Sequence, residues 1–160
     1  MKKLNYLFTA GVLLSLAIYA SCGSSSPAPA DTPAQIALDN LKGKDSPKTW
    51  NLASATVGGN ATTDFDGMTL TFSGTINADK NNVQGGTFTT NGSQGLFSNS
   101  VGWSFTSNDS QNSITTTGGQ VINVTISATS LTMNFTVATA DDAPISRNKG
   151  LAGTYVLNFN

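Results

Sequence analysis

From Lys48 onward, apolar and polar residues alternate with a period of two. This alternation predicts strands with one buried and one solvated face, which is typical of antiparallel sheets. The predicted strands are Thr49–Val57, Gly67–Ser73, Gly86–Thr90, Val101–Ser107, Ser113–Thr117, Val121–Ala128, Leu131–Ala138 and Gly153–Phe159. The predicted fold class is therefore all-β.

Most connections between these segments are short, which favours antiparallel pairing of consecutive strands. An eight-stranded up-and-down meander can close as a barrel, and closure removes the exposed sheet edges. A two-sheet β-sandwich is the alternative. Before the strands, residues 32–47 predict a short helix and linker, with Thr32 as N-cap, Pro33 in the first turn, Gln35 completing a capping box and Gly43 at the end.

The apolar faces also predict strand registers. In the hairpin between Val121–Ala128 and Leu131–Ala138, Ile126 is expected opposite Met133. In the preceding hairpin, a three-residue loop at the glycine pair 118–119 is expected to place Ile114 opposite Val124. Because a slip by one residue would turn a whole apolar face outward, the register of the Val121–Ala128 and Leu131–Ala138 hairpin is expected to be well specified.

The first residues have the three parts of a secretory signal. Lys2 and Lys3 precede an uncharged run, Leu4–Tyr19, which is too short to span a bilayer comfortably. The stretch Ile18 to Cys22 resembles the lipobox of bacterial lipoproteins, in which the cysteine is acylated and begins the mature chain. This resemblance implies a signal peptide over 1–21, a flexible tether over 22–31, lipidation (such as palmitate) at Cys22, and membrane attachment through the N-terminal lipid. The alternative is an ordinary signal peptide with an incidental cysteine.

Composition argues against several classes of function. The chain has no histidine, one cysteine, and nine acidic residues that are all aspartate. The usual general bases, activated nucleophiles and transition-metal ligands are thus nearly all missing. We therefore predict no enzyme activity, no cofactor and no metal site, with an aspartate pair as the remaining catalytic alternative. Beyond residue 21, six basic residues face nine acidic ones, which argues against nucleic acid as a partner.

Four short motifs carry a second resemblance. They are Lys48-Thr49-Trp50-Asn51-Leu52, Leu70-Thr71-Phe72, Gly102-Trp103-Ser104-Phe105 and Gly153-Thr154-Tyr155. In this order they resemble the lipocalin-like lipoproteins of Bacteroidetes-type bacteria. The resemblance spans residues 48–160 and implies a lipocalin-like β-barrel domain on an outer membrane-anchored lipoprotein of a Gram-negative bacterium.

The predicted barrel supplies two sets of candidate site residues. The inward, ligand-binding candidates are Trp50, Leu70, Phe72, Phe88, Trp103, Phe105, Met133, Phe135 and Tyr155. The meander brings several long loops to the end opposite the helix, and their mouth-loop candidates are Asp64, Phe65, Asp66, Phe97 and Arg147. A small eight-stranded barrel either fills with its own side chains or holds one small ligand, and both readings stay open.

These observations lead to two functional hypotheses. The first is a non-enzymatic, lipid-anchored envelope protein whose barrel binds a small apolar ligand. The alternative is a structural, adhesive or accessory interaction module of an envelope complex.

Overall fold

Eight antiparallel strands close into a barrel in the order in which they occur along the chain. The computed structural model describes residues 30–77, 82–107, 111–138 and 151–160. Its elements are α1 (Pro33–Lys42), β1 (Thr49–Val57), β2 (Asn60–Thr62), β3 (Thr69–Phe72), β4 (Thr75–Ile76), β5 (Val83–Asn91), β6 (Ser100–Phe105), β7 (Ser113–Thr116), β8 (Val121–Ile126), β9 (Leu131–Val137) and β10 (Gly153–Phe159). The barrel strands are β1, β3 and β5 to β10.

Pairing between the first and last strands closes the barrel. Leu52 lies opposite Phe159 and Val57 lies opposite Tyr155, with an irregularity between Leu52 and Ser54. The predicted all-β meander and its closure are confirmed, and the two-sheet alternative is not adopted. Closure leaves the eight barrel strands without an open edge, except where a strand is shorter than its neighbour.

Two short strands were not predicted. β2 folds back on the end of β1 through a two-residue turn, Gly58-Gly59, in which both residues have positive φ (58° and 84°). Such a turn matches the twist of a hairpin and strongly favours glycine. β4 is a two-residue strand paired with the start of β5.

The strand faces are as predicted, but both hairpin registers are wrong by two residues. In β8–β9, Val124 lies opposite Met133, and in β7–β8, Ile114 lies opposite Ile122. The cause is turn chemistry. The Ser127 hydroxyl accepts the backbone N–H groups of Thr129 and Ser130 (3.2 and 2.9 Å), and the Ser127 N–H donates to the Ser130 carbonyl (2.9 Å), so the turn lies one residue earlier than expected. In the other hairpin, Gly119 takes the positive-φ place (82°), so the loop is one residue earlier.

The helix has the predicted start and end. The Thr32 hydroxyl accepts the N–H of Gln35 (3.2 Å), and Gly43 (φ 85°) donates its N–H to the Asp39 carbonyl (2.9 Å). Its buried residues, Ala34, Leu38 and Leu41, face the barrel, where the helix packs against β3, β4, β5 and β8. The helix therefore covers one end of the barrel, called here the helix end. The described residues include no helix with the length and apolarity needed to cross a membrane.

Lys48 and Trp50 join this cover to the barrel. The Trp50 indole N–H donates to the Leu41 carbonyl (2.8 Å). The Lys48 ammonium lies 3.4 Å from the centre of the Trp50 ring and donates to the Ala128 carbonyl (2.6 Å). Burial lowers the pKa of Lys48, whereas the ring face and the carbonyl both favour the charged ammonium. One lysine thus links β1 to the β8–β9 turn.

Replacing this lysine should weaken the barrel measurably. For Lys48→Met we expect the free energy of unfolding to fall by about 1 kcal/mol, because the cation–π contact and one hydrogen bond disappear while the aliphatic stem is retained. Urea denaturation of the two proteins measures the difference. Lys44→Met is the matched control, since the Lys44–Asp31 ion pair (3.1 Å) is exposed and its loss should change the free energy of unfolding much less. Equal losses in both variants would contradict the linking role of Lys48.

Candidate functional site

All nine predicted ligand-binding residues point into the barrel and are buried. Trp50, Leu70, Phe88 and Met133 have no exposed surface, and the most exposed of the nine, Phe105, is 8% exposed. A side chain with no surface accessible to a water-sized sphere borders no void that water could occupy. The barrel interior is therefore tightly packed around these four residues.

Aromatic rings run without interruption along the barrel interior. In order they are Phe65, Tyr155, Phe135, Phe97, Phe88, Phe72, Trp103 and Phe105. Successive ring centres lie 5.2–6.0 Å apart, most of them in tilted or edge-to-face arrangements. This spacing is favourable for aromatic pairs and leaves no room between neighbouring rings for another molecule.

The loops at the end opposite the helix close the barrel there. Phe65, in the loop after β2, is 1% exposed and meets the Tyr155 ring edge-on, with ring centres 6.0 Å apart. Phe97, in the loop between β5 and β6, is 3% exposed and contacts Phe88 and Phe135 (5.4 and 5.3 Å between centres). The sequence predicted both as mouth residues. They lie at that end, but as buried plugs.

The loop that carries Phe97 is internally bonded. The buried Ser93 hydroxyl donates to the Phe97 carbonyl (2.9 Å), and the Leu96 N–H donates to the Ser93 carbonyl (2.8 Å). Gln94 has a positive φ of 49°, which is uncommon for a residue other than glycine. These contacts hold the loop with its phenylalanine turned inward.

Asp64 and Asp66 flank the Phe65 plug and are exposed. The N–H of Asp66 donates to the Thr63 carbonyl (3.1 Å), and Gly67 has a φ of 79°, so this stretch is a tight turn. Among the residues that the structure describes, no three carboxylate, thiol or imidazole groups gather in a metal-binding cluster. The remaining mouth candidate, Arg147, lies outside the described residues.

Tyr155 gives the interior its one ionisable group at this end among the described residues. Its hydroxyl donates to the Leu151 carbonyl (2.7 Å). Burial, and then the negative charge of Asp64, raises the pKa of Tyr155. The phenol is therefore held neutral, which suits a hydrogen-bond donor that supports packing and not a base.

The outer wall of the barrel is polar and uncharged. No strand in the described ranges contains a charged residue. Hydroxyl and amide groups pair across strands instead, as in Thr136–Thr154 (3.1 Å), Thr106–Thr115 (2.9 Å) and the Thr132–Asn158–Ser54 relay (2.9 and 3.0 Å). The period-two pattern predicted a solvated outer face, but not where this face forms depressions.

Described residues line three depressions that open to the surface. One of about 260 Å³ lies on the outer wall beside Gly102, where β5, β6 and β7 meet. A second, about 300 Å³, lies between the helix–β1 linker and Gly74, and a third, about 220 Å³, lies on the helix beside Ile36. The sequence contains one indication of the depression beside Gly102, namely the glycines in neighbouring strands.

Comparison with known proteins gives no information on the function of this chain. The chain matches no protein family, no curated protein and no solved structure.

Proposed function

We propose that this chain is a lipoprotein of the Gram-negative outer membrane, anchored through an acylated Cys22, whose barrel acts as a non-enzymatic binding module through its outer surface. The filled interior of the barrel is the observation that supports binding at the outer surface. Side chains from the strands and two phenylalanines from loops occupy the space where a ligand would lie. The surface then remains as the place for recognition, and the barrel serves as its rigid support.

The anchor hypothesis depends on the lipobox resemblance at residues 18–22. Helix α1 begins the compact unit Asp31–Asn160 and packs against one end of its barrel. Trp50 lies at the helix end of β1, whereas the loop 58–66 follows the other end of the same strand. Strand β1 therefore runs from the helix end of the barrel to the end that Phe65 and Phe97 close.

Acylation can be tested directly because Cys22 is the single cysteine. We expect metabolically supplied labelled palmitate to be incorporated into the full chain and lost completely in Cys22→Ser. The labelled protein should partition into detergent and fractionate with the outer membrane. A chain that is processed after another residue, carries no lipid and is released as soluble protein would contradict the anchor. Ser21→Ala, which leaves the cysteine in place, is the matched control.

A second candidate function is binding of a small apolar ligand inside the barrel, as the sequence predicted. One observation favours it. At the end opposite the helix, the interior is closed by Phe65 and Phe97, which come from loops and not from strands. Loops open at lower cost than strands, so an apolar molecule could take the place of a phenylalanine ring. Binding of an apolar probe to the wild-type protein would distinguish this function from binding at the outer surface.

A further inference from the structure

The outer wall has a depression beside Gly102, at the junction of β5, β6 and β7. Gly102 of β6 lies opposite Thr87 of β5, and its carbonyl accepts the N–H of Thr117 (2.8 Å). A Cβ atom at Gly102 would lie 2.1 Å from the Thr117 hydroxyl oxygen, so that hydroxyl occupies the space above the glycine. The hollow of about 260 Å³ next to this contact is called here the Gly102 depression.

Polar side chains around this depression have unused hydrogen-bonding capacity. Gln84, Ser104 and Thr117 line it and are exposed. Within the described ranges, the side chains of these three residues make no hydrogen bond to the protein, unlike Thr115, whose hydroxyl is paired with Thr106. A hydroxyl and a carboxamide can each donate and accept, so the three groups can serve a ligand that does both.

Charge and size narrow the class of ligand. No charged residue lines the Gly102 depression, and none occurs in the described strands around it. An ionic ligand would find no counter-ion there, whereas sugar hydroxyls, which donate and accept, match the lining. At about 260 Å³ the hollow is smaller than a pocket for a drug-sized molecule, about 300–1,000 Å³, so it suits one small unit of a longer chain.

We propose that the Gly102 depression binds a sugar unit of a neutral glycan. The hydroxyl pairs Ser73–Thr87 (3.0 Å) and Thr106–Thr115 lie on neighbouring strands and extend the same surface for adjoining units. This inference rests on the proposed function in one respect, namely that the outer surface and not the interior does the binding. Because the depression is open and the ring of Trp103, which borders it, is buried and unavailable for stacking, the expected dissociation constant is on the order of 1 mM.

The test uses ¹⁵N-labelled full protein, purified from membranes in a detergent without a sugar headgroup. If the protein is found in the soluble fraction, it is used from there. The probes are hexamers of neutral α- and β-linked glucose and of mannose, with an oligogalacturonate hexamer as the charged comparison. We expect chemical-shift changes at the backbone amides of Gly102 and Thr117 with a neutral hexamer, and binding at least tenfold weaker with the charged one.

Variants locate the site. Ser104→Tyr fills the Gly102 depression from an exposed position and should reduce binding at least tenfold. Asn134→Tyr places the same side chain on the exposed face of β9 and should leave binding unchanged. Unchanged melting temperatures in both variants show that the fold is retained. Thr117→Val, which removes only a hydroxyl, should weaken binding about threefold.

Four results would overturn the proposal. The first is that no neutral hexamer causes a chemical-shift change at about 20 mM, roughly 20 times the expected dissociation constant. The second is that the charged hexamer binds equally well. The third is that the shift changes lie elsewhere on the outer wall, and the fourth is that they are confined to interior residues. The third would leave outer-surface binding intact. The fourth would overturn that part of the proposed function as well.

Discussion

Phe97→Ala should open the end of the barrel opposite the helix and lower the free energy of unfolding by about 3–5 kcal/mol. Phe97 is 3% exposed and its ring lies between Phe88 and Phe135. Truncation removes these contacts, and the neighbouring strands cannot collapse into the space because the closed barrel fixes their spacing. An apolar cavity should remain, lined by the two flanking rings.

Two measurements test this expectation. Urea denaturation gives the loss of stability, and benzene, which enters dry apolar cavities, should raise the melting temperature of the variant but not of the wild type. Phe97→Leu is the control, because it keeps most of the side-chain volume and should lose less stability. A loss below about 1 kcal/mol would show that Phe97 does not fill the barrel.

The same experiment separates the two candidate functions. If wild-type protein itself binds palmitate or another apolar probe and its melting temperature rises, the phenylalanine plugs yield to ligands. The interior would then be the binding site, and the preference for the outer surface would be wrong. If only Phe97→Ala responds, the native interior is closed, as its packing indicates.

Gly86→Ala should destabilise the barrel by about 3 kcal/mol or prevent folding altogether. A Cβ at Gly86 would lie 2.0 Å from the Ser73 carbonyl oxygen and 2.6 Å from the Gly74 Cα, both of them backbone atoms that cannot rotate away. The Ser73 carbonyl also accepts the indole N–H of Trp103 (3.0 Å), so moving it breaks that bond too. Thermal denaturation followed by circular dichroism measures the loss.

Gly102→Ala provides the matched control for Gly86→Ala. Both glycines lie in the β5–β6 pair, but the added Cβ at position 102 meets a side-chain hydroxyl, Thr117, which can rotate. We expect a loss of about 1 kcal/mol or less there. Similar losses in the two variants would mean that general strand effects of glycine, and not the contact with Ser73, govern stability.

The sequence determined most of the architecture because its signals are local. Period-two alternation placed the barrel strands and their faces, and the Thr32 cap, Pro33 and Gly43 placed the helix. The strand registers were harder to predict. Shifts of two residues preserve both faces, so alternation cannot distinguish them, and the decision fell to single turn contacts such as the Ser127 hydroxyl.

The candidate site was predicted in part. Its inward residues follow from alternation, which makes them inward whether the barrel is filled or hollow. Phe65 and Phe97 fill the end of the barrel opposite the helix. Their loops have no periodicity that could indicate whether these side chains point inward or outward. The loop sequence did contain one indication that these residues are buried. An apolar pair such as Leu96-Phe97, close to the buried Ser93, is unusual in a solvated turn. The Lys48–Trp50 contact likewise depends on three-dimensional proximity to Ala128.

The seam between β1 and β10 makes the order of synthesis relevant to folding. The residues it joins, such as Val57 and Tyr155, are separated by most of the domain, so this contact forms only after a long loop closes. While β10 is still missing, β1 and β9 each have an unpaired edge that contains threonine and valine, which favours intermolecular pairing. A chain delivered strand by strand through a translocon would therefore remain vulnerable to aggregation until its last barrel strand arrives, and a chaperone that shields extended chains would matter most during that interval.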